Sequence, residues 1–222
     1  MSDRDSTELA LTAFADPRSE QWGVAIGDEP VAVRTLDGED VPRALRADAG
    51  RDVALHSPDG LTQLRPVWLD GDLGTAGAAR IAAVCAQIAI DRRTAQSRLV
   101  AAWLSDGRSV ALLASRPAKA KGHDRDRIEV ALDIPVDVDS DTAPTTVFEP
   151  RLSTTFGPGD SIRQFGLEMW LGREADGDQR PARYGGRRLG DPVTAAPGIT
   201  VQPLTVRSGG VDGIGLYVIA GR

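Results

Sequence analysis

Proton transfer is the chemistry this 222-residue sequence could best support, and Glu168 is the residue that would carry it. Alternation along residues 162–171 puts Phe165, Leu167, Met169 and Leu171 on one face of a strand. Ile162, Gln164, Gly166, Glu168 and Trp170 take the other. If that second face turns into a closed barrel, a carboxyl stands among apolar walls. Removal from water favours its neutral form, which can hand a proton to an alkene or a carbonyl. Glu149 and His56 would assist it, and Trp170, Trp103, Phe165 and Arg151 form the expected ligand-binding set. If the face turns outward, as is ordinary for glutamate, Glu168 is a solvated residue paired with Arg151 or Arg163.

Other motifs carry less. The glycine-rich stretch 71–77 could offer backbone N–H groups to a phosphate. It lacks both the Gly-Lys-Ser/Thr ending of a P-loop and the spacing of a Rossmann turn. Asp137, Asp139 and Asp141 alternate like calcium ligands, but Thr142 and Phe148 stand where an EF-hand loop needs glycine and a bidentate acid. His56 and His123 are the two histidines, and no cluster has zinc spacing. Cys85, the single cysteine, lies in an Ala/Ile/Val run and reads as a buried thiol. No metal and no cofactor is expected.

A formal net charge of −6 repels the phosphate backbone of nucleic acids and anionic membrane surfaces. No run approaches the ~18 apolar residues of a membrane-spanning helix. The polar, acidic residues 1–8 have no basic segment followed by an apolar one, so no secretory signal is read and the cytoplasm is the expected location.

The elements that must position these residues are mostly short β runs. Runs at 22–26 and 31–36, and at 52–56 and 61–69, are split by turn residues, the second pair by Ser57-Pro58-Asp59-Gly60. Three hairpins are expected: 98–104 with 108–115, 147–156 with 162–171, and 199–206 with 211–219. Residues 127–134 alternate Ile128, Val130, Leu132 and Ile134 against Arg127, Glu129, Ala131 and Asp133, the pattern of a half-solvated strand. Residues 1–20 read as a loose lead-in, and 172–197 as a long irregular excursion. Ile81, Val84, Cys85 and Ile88 have helical spacing, so a helix is expected near 76–93; a strand buried on both faces is the alternative. Hairpins in series imply one mainly β, antiparallel domain over 1–222, a meander closed into a barrel or folded into a sandwich.

Phe14-Ala15-Asp16-Pro17, the His56 to Gly60 turn, Arg151 to Phe156 leading to Gly166 to Leu171, and the closing Gly213 to Ile219 resemble one family pattern. It is that of the carotenoid 1,2-hydratase and AttH-like, lipocalin-related group, in an uncharacterised actinobacterial branch. The resemblance implies a calycin- or lipocalin-like barrel around an apolar cavity. It also implies binding of a terpenoid- or polyketide-like molecule, with or without cofactor-free hydration or cyclisation. It favours a strand over residues 81–90. A non-catalytic structural or protein-interaction subunit, or a homo-oligomer, is the competing expectation.

Overall fold

The structure is a computed structural model describing residues 7–17, 20–27, 32–35, 40–41, 46–50, 54–57, 63–72, 78–90, 94–133, 146–172 and 179–221. The strands are β1 (Thr7–Asp16), β2 (Gln21–Ile26), β3 (Ala32–Thr35), β4 (Asp40–Val41), β5 (Arg46–Gly50), β6 (Ala54–His56), β7 (Leu64–Asp72), β8 (Ala78–Ile90) and β9 (Thr94–Leu104). They continue with β10 (Ser109–Pro117), β11 (Arg127–Asp133), β12 (Thr146–Phe156), β13 (Ile162–Gly172), β14 (Gln179–Arg188), β15 (Val193–Ala196), β16 (Ile199–Ser208) and β17 (Val211–Gly221). One 3-10 turn, Pro158–Asp160, interrupts them. No helix among the described residues is long and apolar enough to cross a membrane.

Every strand pairing is antiparallel, in two sheets. The first runs β4-β3-β2-β1-β8-β7-β5. The second runs β12-β13-β14-β16-β17-β9-β10-β11-β6, with β15 on β16. The far ends of the second sheet, β6 and β12, come into contact, so it curls into a nearly closed barrel. The expected mainly β, antiparallel barrel is the architecture observed.

The reason lies in strands that are apolar on both faces. Along β9, one set of residues (Val100, Ala102, Leu104) turns into the barrel and the other (Leu99, Ala101, Trp103) onto the first sheet. β10 and β17 do the same. A strand without a solvent face needs two partners, and each large apolar side chain buried contributes roughly 1.5–3 kcal/mol. The first sheet supplies Leu11, Phe14, Leu69 and Ile88 on one side. The barrel interior supplies Leu132, Ile162, Leu167 and Met169 on the other. At the β16–β17 hairpin, Gly209 and Gly210 take φ of 58° and 85°, the pair of positive angles that a two-residue hairpin turn requires.

Several expectations are corrected. Where a helix is expected near 76–93, the described residues 78–90 form the strand β8. Ala83, Val84, Cys85 and Ala86 are all buried in β8, which is bonded to β1 on one side and β7 on the other, so tertiary pairing overrides local helix propensity. Residues 7–16 of the lead-in are the inner strand β1. The excursion contains β14, a central strand of the barrel. β11 is not half-solvated, because Glu129 and Ala131 face the first sheet at 1% and 3% exposure. Glu129 is held there by the Gln63 N–H at 2.6 Å and by Arg127 at 3.0 Å. β6 pairs with β11 while β7 pairs with β5 and β8, so these two strands lie in different sheets and do not pair with each other; residues 58–60 between them lie outside the described residues. The stretch 73–77 and Asp137 to Asp141 lie outside the described residues.

One end of the barrel interior is polar. Arg98, 2% exposed, donates to Asp126 Oδ2 at 2.5 Å and to Thr154 Oγ1 at 3.5 Å. Thr154 Oγ1 lies 2.7 Å from the Tyr217 hydroxyl. His123 Nδ1 is 2.9 Å from Asp126 Oδ2, and Arg116 Nε stands 3.6 Å from Oδ1. The Asp126 carboxylate, fully buried, is thus enclosed by three basic side chains. Burial pushes the Tyr217 phenol above the usual tyrosine range, against the opposing pull of the Arg98 guanidinium. Burial pushes Tyr184 up as well.

Two predictions follow from this interior. Tyr184 and Tyr217 are the only tyrosines, and a raised native pKa leaves its stabilisation fully present below the unfolded value of about 10 and lost as pH rises from there through the raised native value. Tyrosinate absorbance in an alkaline titration should therefore appear together with loss of structure; a step well before unfolding would contradict it. Replacing the enclosed carboxylate, Asp126→Asn, should cost on the order of 3–5 kcal/mol in urea unfolding, because it strands buried guanidinium charge.

Candidate functional site

The first sheet covers the outer barrel face over β9, β10, β11 and β17, and leaves the outer face of β12, β13 and β14 in solvent. Antiparallel register arranges that bare face in rows running across the strands. One row is Arg151–Glu168–Arg183. The next is Ser153–Gly166–Gly185–Arg207–Asp212. The third is Thr155–Gln164–Arg187–Thr205. At ordinary interstrand spacing, Ser153 to Arg207 spans about 14 Å. Its middle members carry almost no side chain, so a trough opens between taller rows. The groove has a volume of about 600 Å³ and is lined by residues of the second and third rows.

Three glycines form or underlie this floor for different reasons. Gly186 turns inward, where a Cβ would overlap the ring of Phe165, its cross-strand partner. That ring packs edge-on to Tyr217 with centroids 6.3 Å apart. At Gly166 a Cβ would come within 2.8 Å of Ser153 Oγ, which donates to the Gly166 carbonyl at 3.1 Å. Gly185 has no such reason. Nothing lies within 4 Å of the Cβ position, and its φ is not in the left-handed region. Neither backbone nor packing requires glycine there; what its missing side chain provides is open space.

Charge is uneven along the rows. Arg183 is tied to Glu168 at 2.7 Å and Arg151 to Glu149 at 2.9 Å, both beside the groove. On its walls, Arg187 has no ion-pair partner among the described residues, and Arg207 meets Asp212 at 3.5 Å with both side chains at least 70% exposed. An exposed pair of that kind holds little energy, so Arg207 is readily released.

Of the residues expected to form one site, Glu168, Arg151 and Trp170 share the outer face of β12 and β13 with Glu149 beside them, while Trp103 and Phe165 lie on other faces. Glu168 is on the outer face at 44% side-chain exposure, the outward one of its two expected orientations, and its partner is Arg183, not Arg151 or Arg163; the inner positions of β13 go to Phe165, Leu167 and Met169. Glu149 and Arg151 are exposed and paired with each other. Glu149 takes φ of 45° at a bulge, where one extra residue shifts the register between Phe148 and Arg151. The bulge also corrects the simple alternation of β12, because Val147 before it and Leu152 after it both face the interior. Trp103 faces the first sheet and Phe165 the barrel interior, on opposite sides of one sheet, while Trp170 is 38% exposed outside. The void beside Trp103 holds about 10 Å³, room for one water. His56 pairs with Val130 through the β6 backbone; its side chain lies outside the described residues.

Arg187, Arg207, Gly185 and the Thr155–Gln164 wall were not singled out by sequence reading. Only pairing register brings them together, although Gly185-Gly186 between Arg183-Tyr184 and Arg187-Arg188 was a local clue.

No protein-family model and no curated protein matches the sequence. Among solved structures, the chain is similar to kievitone hydratase from Nectria haematococca, at TM-score 0.49 and 8% identity, over 98% of this chain and 89% of that one. A likeness of this degree carries no argument about what this chain does.

The adjacent glycines give a sharp test. Gly186→Ala should destabilise by about 1–3 kcal/mol through collision with Phe165. Gly185→Ala should leave stability unchanged or raise it by up to about 1 kcal/mol. Equal losses in denaturant unfolding would contradict the assignment of their two faces.

Proposed function

We propose that this chain is a small-molecule-binding protein whose site is the outer groove, with the filled barrel as its rigid support. The observation that carries the reading is Gly185, a glycine that neither the backbone nor packing demands, at the floor of a concavity of about 600 Å³. Volumes of this order are typical of ligand sites. The alternative suggested by the sequence, an oily ligand inside the barrel protonated by Glu168, needs room and an inward acid. Leu112, Leu132, Ile162, Met169 and Tyr217 occupy the interior at 1% exposure or less, and Glu168 is paired in solvent. The ligand is therefore polar or amphipathic and not a bare hydrocarbon, and among the described residues no acid is seen aimed into an open cavity for a hydratase or cyclase role. A protein-interaction role has one supporting feature, the exposed Trp170 on the same face.

Native mass spectrometry tests the binding reading after incubation with the small-molecule fraction of a source-cell extract. A bound mass should appear with the unaltered chain and vanish with Gly185→Leu, which fills the trough. A mass retained by both, or absent from both, counts against the groove.

A further inference from the structure

We infer that the groove's ligand carries an oxyanion, a carboxylate or phosphate monoester, held by Arg187 and Arg207 while a flat body lies over Gly185 toward Gln164. This rests on the groove being the binding site and adds the chemical class of what it binds.

The register places the two arginines together. Arg187 is opposite Thr205 and Arg207 is opposite Gly185, so they stand diagonally across β14 and β16 on one face. Diagonal neighbours are within reach of long side chains. The guanidinium fork matches two oxygens of one anion, giving charge-assisted bonds stronger than neutral ones. Two neighbouring arginines outside the groove are committed, Arg183 to Glu168 and Arg151 to Glu149. At the groove, Arg187 has no ion-pair partner among the described residues and Arg207 is only weakly held by Asp212. On this face Arg151, Arg183, Arg187 and Arg207 stand against Glu149, Glu168 and Asp212, a small local positive excess on a chain whose net charge is −6. That overall negative charge opposes a long polyanion and leaves a single small anion as the fitting class. Toward β12 the groove offers neutral groups, the Gln164 amide beside Arg187 and the Ser153 hydroxyl, above a floor low enough at Gly185 for a ring to approach the backbone.

Calorimetry with sodium benzoate, phenyl phosphate and the neutral benzyl alcohol, at low and high salt, decides it. One or both anions should bind more tightly than benzyl alcohol, and more weakly as salt is raised. Arg187→Gln should weaken the anion at least about tenfold, with the melting temperature unchanged. Comparing the two anions separates carboxylate from phosphate. Benzyl alcohol binding as tightly as the anions, or anion binding unaffected by Arg187→Gln, overturns the anion inference while leaving the groove in place if Gly185→Leu still abolishes binding. No binding of any probe at millimolar concentration overturns both.

Discussion

The structure depends on strands that cannot face water. β9, β10 and β17 are apolar on both sides, so neither a single flat sheet nor a simple two-layer sandwich with one wet face would satisfy them. One side is met by the first sheet and the other by curling the second sheet onto itself. The split also decides where function can sit. The first sheet occupies the outer barrel face over β9 to β11 and β17, and buried side chains pack the interior, so among the described residues the bare outside of β12 to β14 is a barrel surface open to build upon.

Polar groups buried by this arrangement are placed where partners converge. Glu129 sits between the sheets but reaches the chain just before β7 and Arg127 on its own strand. Arg98 would be costly inside a barrel on its own. With Asp126, Thr154 and Tyr217 around it, the barrel end has a defined polar plug tying β9, β12, β17 and the segment before β11 into one register. Such a cluster need not add much net stability, since desolvation offsets much of the attraction, but slipping any one strand would leave a charge unmatched.

The parts legible in the sequence were those fixed by local pattern. The three hairpins, with their Gly and Asp turns, and the inward set Phe165, Leu167 and Met169 follow from turn chemistry and period-two alternation. The failures have physical causes. In β8, alanine-rich spacing suits a helix equally well until neighbours on both sides claim its backbone. In β11, Glu129 and Arg127 look like a solvent face because sequence does not reveal a second sheet lying over them. In β12 a bulge at Glu149 interrupts the period, and in β14 arginines and glycines conceal a central strand. The groove was least legible. Ser153, Gly166, Gly185 and Arg207 come from four strands and share nothing until pairing register aligns them.

Gly185 has a consequence for how such a protein could change over evolutionary time. Residues at most recognition sites are entangled with packing, so altering preference costs robustness. Here, one position can acquire a methyl, a hydroxyl or a longer group without disturbing its surroundings, because no neighbour touches that space. Paralogues could diversify in selectivity by drift at a single codon while the hydrophobic scaffold beneath stays constant.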